Sequence, residues 1–161
     1  MSTTSVTPDL QSANEIIDLA SRAVGKGLRQ LAAIGGADKH QVLAAINNGA
    51  VCTINALRPE QHTGTGGVQY GRPGRIAGSV NVAASNLVDP ATNAFLPAEE
   101  LRAKFEAVGA MNRSVITYCG GGIAASADAL ILTMLGHKDV KLYDASLSEW
   151  VKDPSLPMEV G

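Results

Sequence analysis

The stretch SVITYCGGGIAAS, residues 114–126, decides how this chain is read. Val115, Ile116, Thr117 and Tyr118 are β-branched or aromatic, which predicts a buried strand over 114–119. Cys119 then stands at the strand's carboxyl end, where open α/β sheets place their sites. Gly120, Gly121 and Gly122 permit a tight backbone curl at positive φ with no side chain in the way. Ile123, Ala127, Leu130, Ile131, Met134 and Leu135 recur on one predicted helical face, and Gly136 supplies the stop. The amides of such a curl can converge on one point, and the helix amino end adds about half a positive charge there. A thiol at that point is favoured as its anion, so Cys119 reads as a nucleophile held in a ring of amide donors. The reading requires Cys119 to be reachable and the amides to face it.

Working outward, the same alternation repeats. Residues 51–57 form a β-branched, apolar run that predicts a strand containing Cys52. Residues 79–83 and 140–143 predict two more strands. Pro97 fits a first helical position, with Glu99 and Glu100 in the first turn and Gly109 at the end. Ser146 and Glu149 have the capping-box spacing and open a short helix through Trp150. Residues 58–75, with five Gly and two Pro, predict a long functional loop. Toward the amino end, helices are expected over 10–34 and 37–47. Strands and helices alternate, so the fold class is α/β: a mainly parallel central sheet flanked by helices on both faces. The expected organisation is a helical amino-terminal extension, residues 1–49, and one domain over 50–161.

Composition bounds the function classes. The 161 residues suffice for one ordinary domain. A net charge of −2 supplies no bulk basic field, so neither nucleic acid nor a membrane surface is an expected partner. The first fifteen residues lack the basic start and apolar run of a signal peptide, and no stretch approaches a membrane span. Two cysteines make no disulfide framework, and three scattered histidines show no metal-ligand spacing. A cytoplasmic location with free thiols and no metal is therefore expected.

Two other chemistries share the strand–glycine–helix pattern. A dinucleotide site is suggested by Gly120, Gly122 and Ala125, with Asp144 after the next strand. Only 17 residues follow Asp144, too few for the further βαβ units such a site uses. A cysteine phosphatase loop needs an arginine six residues after the cysteine to pair with the phosphate dianion. Ala125 stands there, and no arginine occurs from Cys119 to Gly136.

The residues also carry a family resemblance. CGGGIAAS, residues 119–126, resembles the active-site loop of the rhodanese superfamily, closer to the mercaptopyruvate type than to the more basic thiosulfate type. GRIAGSVN, residues 74–81, is similar to a second signature of that family, and LYDASLSEW, residues 142–150, with Leu156 and Pro157, to its closing segment. The likeness covers residues 50–161 and is nearest to the cysteine-bearing half of two-domain sulfurtransferases. One departure stands out. Where the family's first strand ends Asp-x-Arg, this chain has Asn55, Ala56 and Leu57, followed by Arg58.

The resemblance implies a rhodanese-like fold and a sulfurtransferase that needs no cofactor. Cys119 would take a sulfane sulfur from thiosulfate or 3-mercaptopyruvate as a persulfide and pass it to cyanide or a thiol. Gly120, Gly121, Gly122, Ile123, Ala124, Ala125 and Ser126 would hold the persulfide, with Arg75 or Arg58, and beside them Arg72, binding the substrate anion. A second reading is a sulfur-carrier or regulatory module acting with a protein partner. In a third, another chain, as a homodimer mate or a separate sulfurtransferase domain, completes the pocket. Cys52, Tyr118 and Trp150 read as core, with a Cys52–Cys119 disulfide open to neighbouring strands. His62 reads as a solvated loop histidine or an acid–base group, and Asp144 as a residue that orients the last loop.

Overall fold

The computed structural model describes residues 32–161. In chain order the elements are β1 (Gly35–Gly36), α1 (Lys39–Ala45), β2 (Val51–Asn55), α2 (Pro59–Thr63), β3 (Arg75–Ile76), β4 (Val80–Asn81), α3 (Ala98–Ala107), β5 (Ser114–Tyr118), α4 (Ile123–Met134), β6 (Val140–Leu142), α5 (Ser146–Trp150) and β7 (Met158–Glu159). Five strands form one sheet in the order β1-β6-β5-β2-β4, every neighbouring pair parallel. β3 and β7 pair antiparallel in a separate ribbon. β5 sits at the centre, so its carboxyl end opens over the middle of the sheet. The helix expected from residue 10 lies outside the described residues up to position 31.

Strand alternation sends successive side chains to opposite faces. On one face Cys52, Ile54, Val115 and Val140 pack against Leu101 and Phe105 of α3 and Ala129 and Leu132 of α4. On the other, Ile116 and Tyr118 pack against Val42 of α1 and Leu147 and Trp150 of α5. Both faces are therefore covered by helices, as a parallel sheet requires. Residues 35–49 belong to this layered unit, because β1 pairs with β6 and Val42 is fully buried. The sheet domain thus extends further toward the amino terminus than position 50.

Three local expectations are corrected. Residues 58–75 are not all loop: Pro59 starts a short helix that Gly64 ends in the left-handed conformation. Pro97 caps α3 from outside instead of occupying its first helical position. The buried residues of α4 are Ala125, Asp128, Ala129, Ile131, Leu132 and Thr133; of the expected face Ile131 is in the core, whereas Ile123 and Met134 are exposed. Alanines let the first turns of α4 lie close to the sheet, Ile131 and Leu132 fill the core further along, and the terminal Ile123 and Met134 turn outward.

Asp128 is the cost of that arrangement. It is fully buried, and neither carboxyl oxygen has a hydrogen-bond partner. Burial pushes its carboxyl well above the ordinary range, so it stays protonated well past the usual carboxylate titration. The folded state then holds a proton that the unfolded chain releases above about pH 4, and this group's contribution to stability falls as pH rises. Asp128→Asn removes the titration. Urea unfolding between about pH 5 and about pH 8 should show the variant gaining on the parent protein with rising pH, up to the slope of one proton; parallel curves would contradict the assignment.

Candidate active site

β5 ends at Tyr118, and residues 119–122 turn the chain into α4. Gly122 adopts φ 86°, and a Cβ there would run into the Asp144 carboxylate. Gly120 has no room for a side chain because the Tyr70 phenol lies against it. Gly121 is different, since the nearest neighbour of a Cβ there is Ser148 Oγ at 3.8 Å. Two glycines are thus demanded by close approach and the third is not.

The turn is held by the start of α5. Leu147 N donates to Cys119 O at 3.1 Å, and Ser148 N and Oγ both donate to Gly120 O, at 2.9 and 2.7 Å. Ser146 Oγ accepts from Cys119 N at 3.0 Å and donates to Tyr143 O at 2.8 Å. Ser146 pays with a left-handed φ of 52°, unusual for a residue with a side chain. The expected capping box is not formed: Ala145 occupies the cap without a side-chain bond, and the serine is committed to the cysteine turn instead.

A trans peptide points its C=O and its N–H in opposite directions. No cis peptide occurs among the described residues. Tying the carbonyls of Cys119 and Gly120 to α5 therefore turns the N–H groups of Gly120 and Gly121 away from α5. Gly122 O accepts from Ser126 N at 3.0 Å, so the N–H of Ile123 faces back toward the turn. None of the six N–H groups of residues 120–125 donates to an acceptor among the described residues. These are the free donors of a helix start and a turn together, an arrangement suited to one anion.

Cys119 itself is only 3% exposed, which corrects the expectation of an open thiol. It packs with Ala56 and Ala125, and Leu57, Ala84 and Ala124 pack against that cluster. Those three are only partly buried, so the cover is thin. Cys52 and Cys119 are both free thiols.

The predicted side chains are placed as follows. Ser126 Oγ donates to Ile123 O at 2.7 Å, the ordinary bond of a first-turn serine. Arg58 Nε lies 3.3 Å from Glu60 Oε1. Arg72 Nη1 donates to Leu156 O at 2.8 Å and Asp153 O at 3.3 Å. Arg75 pairs with Glu159 at 3.4 Å and donates to Gly161 O. No hydrogen bond or ion pair joins any of the three to residues 119–126. His62 is buried instead of solvated, and its Nδ1 lacks a partner. Burial, helped by the Arg75 charge, pulls it down to about 4, so it is neutral at physiological pH. Ser146, Ser148 and Tyr70 were not anticipated; the serines lay inside the pattern read as a capping box. A groove of about 570 Å³ lies at the opposite end of β5, lined by Arg102, Arg113, Ser114, His137 and Asp139, remote from Cys119.

With this geometry in hand, similarity to known proteins becomes informative. The family model of the Rhodanese-like domain matches residues 38–153. The chain belongs to the rhodanese-like domain family. Thiosulfate/3-mercaptopyruvate sulfurtransferase 1 of Arabidopsis thaliana is 37% identical over 89 residues, covering 55% of this chain and 23% of that protein. A Thermus thermophilus sulfur carrier protein, TtuD, is 34% identical over 92 residues, covering 56% of this chain and 32% of that protein. The rhodanese-like chain thus spans no more than about a third of these relatives. The crystal structure of an anaerobic ergothioneine biosynthesis enzyme from Chlorobium limicola shares the fold, with a TM-score of 0.71 at 19% identity over 78% of this chain and 32% of that one.

The close approach of Tyr70 separates two otherwise equivalent glycines. Gly120→Ala should cost about 1–3 kcal/mol more in urea unfolding than Gly121→Ala, and Tyr70→Ala should recover most of the difference. Equal costs would show that Tyr70 does not rest on the turn.

Proposed function

We propose that this rhodanese-like domain is a sulfurtransferase that moves a sulfane sulfur through a persulfide on Cys119. The donor is of the thiosulfate or 3-mercaptopyruvate kind, and the acceptor is a thiol or cyanide. The observation that carries the reading is the set of six N–H groups around the turn that begins at Cys119, none of which has an acceptor among the described residues. A purely structural cysteine has no use for such a cradle, whereas a thiolate or persulfide is stabilised by it.

The Cys119 thiolate attacks the outer sulfur of the donor. A bond from Sγ to that sulfur forms as the donor's own bond to it breaks. The remainder leaves with the electron pair, as sulfite or as the enolate of pyruvate, which then takes up a proton. The acceptor attacks the outer sulfur in turn, and Cys119 returns to a thiolate. For either partner to reach the thiol, which is 3% exposed, the partly buried cover of Leu57, Ala84 and Ala124 has to shift. The free thiols Cys52 and Cys119 fit a reducing compartment such as the cytoplasm.

A second reading is favoured by one observation, the covered thiol. In it a protein partner opens the cover and gives or takes the sulfur, so the domain acts as a carrier. The Thermus thermophilus relative named as a sulfur carrier is consistent with that role.

Intact mass spectrometry after incubation with thiosulfate or 3-mercaptopyruvate tests the covalent step. The protein should gain the mass of one sulfur, lose it on adding cyanide, and gain none as Cys119→Ser. Sulfur retained by Cys119→Ser would refute the assignment. Loading that requires an added protein would favour the carrier.

A further inference from the structure

Tyr70 reaches the reactive turn from a loop that is tied on both sides. Gln61 Nε2 donates to Gln69 Oε1, and Arg72 Nη1 donates to Leu156 O at 2.8 Å and Asp153 O at 3.3 Å. Between these ties the half-buried Tyr70 packs against the cluster that holds Leu147 and Trp150. The hydroxyl end of its ring, Cζ and Oη, is what a Cβ on Gly120 would strike first. Tyr70 also lines one small hollow with Leu57, part of the cover over Cys119.

The serine hydroxyls at the turn are spent. Ser126 Oγ donates to Ile123 O, Ser146 Oγ to Tyr143 O and Ser148 Oγ to Gly120 O. The Tyr70 hydroxyl has no hydrogen-bond partner among the described residues. Sulfur transfer builds negative charge in two places, on the sulfur at Cys119 and on the group that departs. The amides of residues 120–125 meet the first. The second falls on oxygen, in the enolate of pyruvate or in sulfite, beyond the transferred sulfur. A neutral O–H donor at the edge of the turn is the kind of group that stabilises it.

We infer that Tyr70 is a catalytic residue of the loading step, donating a hydrogen bond from its hydroxyl to the oxygen that gains charge as the donor loses its sulfur. The inference rests on the persulfide reading above and adds the group that serves the departing half. With 3-mercaptopyruvate the Sγ–S bond forms, the C–S bond breaks, and its electron pair is drawn onto the keto oxygen, which becomes the enolate oxygen and accepts from Tyr70. The enolate carbon then takes a proton from solvent, the donor's thiol proton passes to solvent, and Tyr70 keeps its own. With thiosulfate the S–S bond breaks and the pair stays on sulfite, one oxygen of which accepts. No oxidant or reductant is consumed. When the acceptor later removes the sulfur, the departing group is the Cys119 thiolate, held by the amides, so Tyr70 has no part in that step.

Tyr70→Phe keeps the ring against Gly120 and removes only the hydroxyl. Single-turnover loading of Cys119 is followed by intact mass, with whichever of thiosulfate and 3-mercaptopyruvate loads the unmodified protein, at saturating donor. Discharge of the preloaded persulfide by cyanide is timed on the same two proteins. Tyr70→Phe should load at least about tenfold more slowly and discharge within about twofold of the unmodified rate. Loading at the unmodified rate would overturn the assignment and leave the persulfide reading standing. Loading and discharge slowed alike would also overturn it, since Tyr70 would then only support the turn. If neither donor adds sulfur to Cys119 of the unmodified protein, both readings fail. An unchanged discharge rate itself shows that the variant's turn is intact.

Discussion

The Ser146 hydroxyl, shared between Cys119 N and Tyr143 O, is the contact on which the site depends. It joins the end of β5 to the end of β6 through one buried oxygen. Leu147 and Ser148 extend the join by taking the carbonyls of Cys119 and Gly120. Once those carbonyls are committed, peptide planarity dictates where the next N–H groups point. The cradle is therefore made by α5 as much as by the glycines. Its cost is visible in the left-handed backbone of Ser146, strain held in place by a fully buried side chain.

The remainder of the fold serves to keep that turn at the middle of the sheet. β5 lies between β6 and β2, and both faces of the sheet are sealed by helices. Tyr118, the last residue of β5, is fully buried, and its hydroxyl is bonded to Ile76 N at 3.0 Å and Ser79 Oγ at 2.7 Å. Asn81 holds the residues after β2 by donating to Asn55 O and Leu57 O. Two of the sequence signatures, residues 74–81 and 142–150, thus have a mechanical meaning. Each ties a neighbouring segment to the strand that ends in the cysteine.

Much of this was legible in the sequence because it depends on local rules. The run of β-branched residues before Cys119, the three glycines and the apolar helix after them define β5, the turn and α4 without tertiary knowledge. What was not legible depends on contacts between distant segments. The capping-box spacing at Ser146 is a valid local pattern, yet the hydroxyl found a better use across the sheet. The apolar face predicted for α4 put Ile123 and Met134 inside, but close packing on the sheet favoured alanines and accepted Asp128. The three arginines were reasonable anion ligands by position, and their actual partners come from segments about 80 residues away for Arg72 and Arg75. Tyr70 gave no signal, since its partner is a glycine whose only contribution is the absence of a side chain.

The central claim is that the amides of residues 120–125 are the groups that stabilise sulfur on Cys119. Amide proton and nitrogen chemical shifts, recorded before and after loading with a sulfane donor, address it directly. The amide signals of Gly120, Gly121, Gly122, Ile123, Ala124 and Ala125 should move downfield together on persulfide formation, while Leu147 N and Ser148 N, already bonded to the turn's carbonyls, stay nearly still. A protein that gains sulfur on Cys119 with those amide signals unmoved would show that the cradle plays no part.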